Sequence, residues 1–322
     1  MGARALLAVL GALACLAGAP AVAQRGESPL PPAVAEALAK AQVLEDALAA
    51  VVMPLGRLGA SWQRQAQRPM QPGSVIKVVT SIVALDQLGP NHRGFTELLT
   101  SAPQQGDVLA GDLVLRGGAD AEFGLPQLWA LLAELRQVHG IREIAGDIVL
   151  DRGLFRPMRP ELGVPPFDEQ PEFPYNMIPD ALQLNGSLMG LEISSEGGTG
   201  GAPATAAPAI TARALPPLPG LVIDASAMRL TERACKDWDD DWISPPQITE
   251  PEPGTLRVVL QGGFPKGCTV RPNLQLIDRS ALAERQLRAL WLGLGGSWSG
   301  RVREAEAPLI APLGKAAVAA AL

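Results

Sequence analysis

From Ser74 to Leu88 the apolar residues Val75, Ile76, Val78, Val79, Ile82, Val83, Leu85 and Leu88 cover nearly the whole circumference of a helix, directly after the turn-like Met70-Gln71-Pro72-Gly73. A helix apolar on every side belongs in an interior rather than on a surface. Residues 31–50 read as an amphipathic helix, with Val34, Leu38, Ala41 and Ala47 among its apolar positions. Residues 49–58 read as a strand running into a turn punctuated by Pro54 and Gly56. Beyond residue 98 the pattern changes to short strand-like runs divided by glycine and proline, at 113–115, 148–150, 188–193, 221–223 and 256–260. Gly111-Asp112-Leu113-Val114-Leu115 is echoed by Gly146-Asp147-Ile148-Val149-Leu150, with a helix-like stretch at 127–138 between them. This predicts one strand-helix-strand unit, too short for a repeat array. Residues 197–220, rich in Gly, Ala and Pro, read as a flexible loop or linker. Helical periodicity returns at 281–294 through Leu282, Leu287, Leu290, Trp291 and Leu294. The fold class is therefore mixed α/β (α+β).

Composition narrows the setting. Arg4, an apolar run over 5–16 and Ala21-Val22-Ala23 before Gln24 read as a secretory signal peptide, residues 1–23. A retained membrane anchor is the alternative, and its apolar run is only marginally long enough to span. Cys15 as a lipoprotein attachment point is disfavoured by Ala12, where a leucine-like residue would be expected. Cleavage removes Arg4 and no acidic residue, so the net charge goes from −6 to −7. That balance lacks the basic footprint of a nucleic-acid-binding protein. Cys235 and Cys268 remain as an even pair in an oxidising compartment, and a disulfide is the expected state. It would stabilise the fold by roughly 3–4 kcal/mol in the chain-entropy account. Two buried thiols are the plainer alternative; a two-cysteine zinc site is disfavoured because no histidine lies nearby. With 47% hydrophobic but only 4% aromatic residues, the core must be mostly aliphatic.

Ser74 and Lys77 carry the chemistry. Three residues apart on a helix, they lie on one face. An uncharged lysine amine there can take the proton from the serine hydroxyl, which gives acyl transfer without histidine. Burial in the apolar helix would favour the uncharged amine. Ser74 falls in the first turn, where free backbone N–H groups help to hold an oxyanion. The S-x-x-K spacing marks penicillin-binding proteins and serine β-lactamases, although a single such match is also a common coincidence.

Several further segments resemble one family in order and spacing. They are the residues from Arg68 to Lys77, Ala84-Leu85-Asp86-Gln87-Leu88-Gly89-Pro90, the stretch from Leu109 to Asp120, Gly146 to Asp151, and Pro174-Tyr175-Asn176-Met177-Ile178-Pro179-Asp180-Ala181-Leu182. Together they resemble the D-alanyl-D-alanine carboxypeptidase/endopeptidases, the class C low-molecular-mass penicillin-binding proteins. The resemblance implies a β-lactamase/transpeptidase-like serine-enzyme domain, interrupted by a large strand-rich insertion. Residues 24–98 would open that domain, 99–275 would be the insertion, and 276–322 would begin the return. It further implies Ser74 as nucleophile with Lys77 as its base, peptidoglycan stem peptides as substrates and β-lactams as inhibitors. Export through the signal peptide, taken with the resemblance, implies a periplasmic location, and the resemblance implies no metal or organic cofactor.

The family completes its site with an S-x-N motif and a K-T-G motif, and neither occurs in this sequence. The expectation is a serine domain truncated at its C-terminus, with apolar surface uncovered on the Ser74 helix and weak or no activity. Residues 305–322, rich in Ala, Pro and Leu, depart from the family pattern. A non-catalytic exported protein that binds peptidoglycan or a partner is the alternative function; a β-lactamase is disfavoured by the long insertion. Asp237-Trp238-Asp239-Asp240-Asp241-Trp242 is read as an acidic exposed loop rather than a cation site. Asp120 is read as a turn or strand-end hydrogen-bonding residue, and Asp180 and Asn185 as structural. His139 is read as a residue at a helix C-terminus.

Overall fold

The computed structural model describes residues 28–55, 62–195 and 210–306, together with the backbone of 320–321. The expected signal segment, Cys15, residues 197–209 of the expected linker and most of the tail lie outside the described residues. The chain divides into two compact units, Met1–Asn91 and His92–Leu322.

In the first unit, helix α1 (Pro32–Lys40) is followed by strands β1 (Ala50–Val52) and β2 (Trp62–Arg64) and by helix α2 (Ile76–Leu88). Helix α1 is half the length that its apolar spacing predicts. Gln42 adopts a left-handed φ of 55°. Its N–H bonds to Ala39 O, and that of Val43 to Leu38 O, which together close a Schellman turn. A glutamine in the place usually held by glycine gave no sign of this stop. Strands β1 and β2 pair antiparallel, Ala50 opposite Arg64 and Val52 opposite Trp62. Helix α2 forms where expected and ends at Gly89, whose φ is 82°. Its surroundings correct the expectation of an interior helix. Val75, Ile76, Val78, Val79, Ile82, Val83, Leu85 and Leu88 are between 51% and 69% exposed, and no residue of the helix is buried.

In the second unit the order is β3 (Phe95–Leu99), β4 (Gln104–Gln105), β5 (Val108–Leu109), β6 (Leu113–Gly118), α3 (Leu125–Gln137), β7 (Glu143–Ile144), β8 (Ile148–Asp151), β9 (Met189–Ser194), β10 (Thr211–Leu215), β11 (Leu221–Thr231), β12 (Gln247–Glu252), β13 (Thr255–Pro265), β14 (Thr269–Val270), β15 (Asn273–Leu274), α4 (Arg279–Gly293), β16 (Ser297–Trp298), β17 (Val302–Glu304) and β18 (Ala320–Ala321). The expected strand-helix-strand unit is present: β6 and β8 run parallel with Leu113 opposite Ile148 and Leu115 opposite Leu150. The two Gly-Asp pairs open these strands side by side. A Cβ on Gly146 would stand 2.3 Å from the Gly111 carbonyl carbon, so the close approach requires glycine there. Asp112 Oδ1 accepts from Asp147 N (2.8 Å). With β3 and β17 as neighbours, these strands form the sheet β17-β8-β6-β3-β18.

Two aliphatic cores result. Leu98, Leu113, Leu115, Ile148 and Leu150 pack with Leu128, Leu131, Leu132 and Leu135 of α3 and with Leu287 and Trp291 of α4. Met189, Leu191, Ile193, Val258, Leu260 and Phe264 form the second, between the sheets β10-β9-β14 and β11-β13-β12. Each fully buried side chain of this size stabilises the fold by about 1.5–3 kcal/mol. Helix α4 belongs to both, with Leu282 in the second core and Ala283 and Leu287 in the first. Its N-cap, Asp278, accepts from Ser280 N and Ala281 N, a role that favours Asp because its carboxylate replaces the missing helical acceptor.

Cys235 and Cys268 are joined, with Cα atoms 5.4 Å apart. Cys235 follows β11 and Cys268 follows β13, and these parallel strands pair up to Thr231 opposite Pro265. The bridge therefore clips the same end of both. Two readings are corrected nearby. Residues 211–215, placed in a linker by composition, form β10 and pair with β9. Trp238 and Trp242 are not loop surface: each ring lies 6.1 Å from that of Phe173, the two meet edge to face at 5.8 Å, and Trp242 is buried. The neighbouring aspartates do face outward, Asp240 and Asp241 pairing with Arg233. Asp120 Oδ1 accepts from Glu122 N in a turn (3.0 Å), as expected. His139 follows the end of α3, its N–H bonded to Glu134 O (3.3 Å).

A buried ionic network crosses the second unit. Asp180, with a fully buried side chain, receives Arg152 Nη1 at 2.9 Å and also Arg279. Arg279 Nη2 reaches Glu161 (2.6 Å), and Arg159 reaches Glu161, Asp278 and Glu304. Burial pushes the Glu161 and Asp278 carboxyls up, but the hydrogen bonds of Arg159, with backbone N–H donors and the charges of Arg159 and, at Glu161, Arg279, hold both below their ordinary values. A carboxyl depressed in the folded state adds stability above its unfolded pKa and loses it as pH falls through the folded value. Unfolding free energy should thus be flat near neutrality and fall below about pH 4. Arg159→Met should flatten that acid limb in pH-dependent denaturant titrations; an unaltered slope would contradict the assignment.

Candidate active site

The path to Ser74 is set by prolines and one turn. Pro69 and Pro72 fix their own φ and hold the residues before them extended. Gly73 then takes a φ of +50°, which glycine adopts without steric cost. A 3-10 turn over Gly73–Val75 leads straight into α2, with Val75 N donating to Pro72 O (3.0 Å). Ser74 therefore sits at the helix entrance, where backbone N–H groups lack intrahelical partners.

The three-residue spacing brings Ser74 and Lys77 together as expected: Lys77 Nζ donates to Ser74 Oγ at 3.1 Å. The same separation suits proton transfer the other way when the amine is neutral. One turn further on, Ser81 Oγ donates to Lys77 O (2.8 Å), which occupies a backbone acceptor rather than the amine. Among the described residues Lys77 forms no ion pair, and it is exposed. The burial that would favour the uncharged amine is not supplied within the first unit. Arg68 and Gln65, which sequence reasoning did not single out, anchor the start of this path. Arg68 Nη1 donates to Asp46 O and to Gln65 Oε1, both at 2.6 Å.

Cys235 and Cys268 lie in the second unit as a structural bridge. Asp180 and Asn185 take structural roles. Asp180 is the hub of the ionic network, and Asn185 occupies a left-handed turn with φ 52° while its Nδ2 donates to Leu188 O (2.9 Å). No group of three or more His, Cys, Asp or Glu side chains suited to a metal ion occurs among the described residues. No described helix is long and apolar enough to cross a membrane.

The chain is similar to D-alanyl-D-alanine carboxypeptidase DacB of Haemophilus influenzae, 37% identical over 86 residues, covering 27% of this chain and 18% of that protein. Its fold is similar to the crystal structure of penicillin binding protein 4 (dacB) from Haemophilus influenzae, with a TM-score of 0.54 and 21% identity, over 74% of this chain and 49% of that one. The same Haemophilus influenzae protein complexed with a novel β-lactam gives a TM-score of 0.50 at 19% identity, over 74% of this chain and 47% of that one. The chain thus spans about half the length of these solved relatives. The profile of the D-Ala-D-Ala carboxypeptidase 3 (S13) family matches residues 30–321. With the fold shared and the match running over almost its whole length, the chain belongs to the D-Ala-D-Ala carboxypeptidase 3 (S13) family.

Proposed function

We propose that this chain carries the acyl-transfer half-site of a periplasmic serine D-Ala-D-Ala carboxypeptidase/endopeptidase, with Ser74 as nucleophile and Lys77 as its base. The observation that carries this reading is the 3.1 Å approach of Lys77 Nζ to Ser74 Oγ at the mouth of α2, in a chain of the S13 family. Ser74 Oγ attacks the penultimate D-alanine carbonyl while its proton passes to the neutral Lys77 amine. Collapse of the tetrahedral adduct breaks the peptide bond, and the leaving D-alanine amine takes the proton from Lys77. Water then attacks the acyl-serine, again with Lys77 receiving a proton, and regenerates the hydroxyl. A β-lactam carbonyl offers the same electrophile. Export through residues 1–23 would bring the chain to peptidoglycan.

On the same reading residues 24–98 open the serine domain, the strand-rich residues 99–275 form the insertion and residues 276–322 begin the return. Within these 322 residues no S-x-N or K-T-G motif aligns the substrate or completes the oxyanion hole, so turnover of this chain should be slow. Losing one oxyanion donor alone costs about 100- to 1,000-fold in rate. Release of D-alanine from a peptide ending in D-Ala-D-Ala should be weak in the wild-type chain and absent in Ser74→Ala and in Lys77→Ala. Release that persists in Ser74→Ala would remove the assignment.

A further inference from the structure

We propose that Gln65 and Arg68 are positioning residues for Ser74, forming an anchor that sets where the nucleophile stands. This rests on the assignment of Ser74 above. Gln65 holds a left-handed backbone, φ 45°, without being glycine. Such a conformation is uncommon for this residue type and persists where surrounding contacts over-determine it. Those contacts are present. Gln65 Nε2 donates to Asp46 O (3.2 Å) and to Leu48 O (3.0 Å). Its Oε1 accepts from Arg68 Nη1, which also reaches Asp46 O, and Arg68 N closes the turn on Gln65 O (3.0 Å). One glutamine and one arginine thus tie the exit of β2 to the segment that enters β1.

The five residues between Arg68 and Ser74 are Pro69, Met70, Gln71, Pro72 and Gly73. Two prolines remove much of the freedom that a connector of this length would otherwise have. A displacement at Arg68 is therefore passed on to Ser74 instead of being absorbed between them. A shift of about 1 Å in a reacting group can cost about 100-fold in rate. Neither Gln65 nor Arg68 makes a hydrogen bond to Ser74 or Lys77 among the described residues; their action is through the backbone.

The test compares the full chain with Arg68→Ala, Gln65→Ala and Arg68→Lys. Hydrogen exchange followed by mass spectrometry is read over residues 69–77 and, as reference, over residues 148–151. The acylation rate by benzylpenicillin is followed over a concentration series. Arg68→Ala and Gln65→Ala should speed exchange over 69–77 by about tenfold, as local opening becomes easier, and leave 148–151 unchanged. They should lower the limiting acylation rate by about tenfold with an unchanged half-saturating concentration. Arg68→Lys retains a donor for Asp46 O and should recover a measurable part of both effects. Unchanged exchange over 69–77 would overturn the anchor, as would equal acceleration over 148–151 or an Arg68→Lys variant no better than alanine. A wild-type chain that never acylates would sink the Ser74 assignment alone, and exchange would still decide the anchor.

Discussion

Asp180→Ala should lower the unfolding free energy of the chain by about 3–5 kcal/mol, the loss seen when one partner of a buried charge pair is removed. Asp180 is fully buried and lies between two arginines that are themselves 3% exposed at the side chain. Burial already pushes the Arg152 guanidinium below its usual value, against the opposing pull of Asp180 and Glu304. Without Asp180 the two guanidiniums would lose the carboxylate they share, leaving Arg152 with Leu182 O and the longer contact to Glu304 (3.5 Å) and Arg279 with Glu161. Asp180 Oδ1 also accepts from Leu182 N (2.8 Å), so the variant frees a buried donor as well. Asp180→Asn keeps an acceptor but not the charge and should fall between wild type and alanine. Urea denaturation followed by tryptophan fluorescence checks the order. A loss below about 1 kcal/mol for alanine would place the pair among weakly coupled surface bridges.

Removing the Cys235–Cys268 bridge should cost about 3–4 kcal/mol, from a loop with a sequence separation of 33. The bridge lies wholly within the second unit. It joins the ends of two parallel strands whose connection runs through the aromatic cluster of Phe173, Trp238 and Trp242. The double variant Cys235→Ala/Cys268→Ala should melt well below wild type and be insensitive to dithiothreitol, while wild type under reducing conditions approaches it. Equal melting temperatures with and without reductant in the wild type would contradict this role.

Local signals in the chain proved readable, and long-range ones did not. The Gly-Asp pairs at 111–112 and 146–147 announced the parallel strands because close backbone approach demands glycine and strand period follows at once. The Ser74–Lys77 geometry was legible because three residues of helix fix it. The end of α1 was hidden by Gln42, which takes a left-handed turn without being glycine. The strand at 211–215 was hidden by its Ala-rich composition, since its order comes from pairing with β9. The ionic hub joins Arg152, Asp180 and Arg279 across up to 99 residues of separation, and nothing in their neighbours marks them as partners. Helix α2 shows the limit most plainly. Its apolar residues called for burial, whereas in the structure they are exposed.

The most direct measurement is the intact mass of the chain after prolonged incubation with benzylpenicillin, with the adduct mapped to its residue by peptide analysis and Ser74→Ala run beside it. The account predicts a single adduct that accumulates slowly, maps to Ser74 and is absent from Ser74→Ala. An adduct on another residue, or one that forms equally on Ser74→Ala, would contradict it, as would a folded wild-type chain that never acquires one.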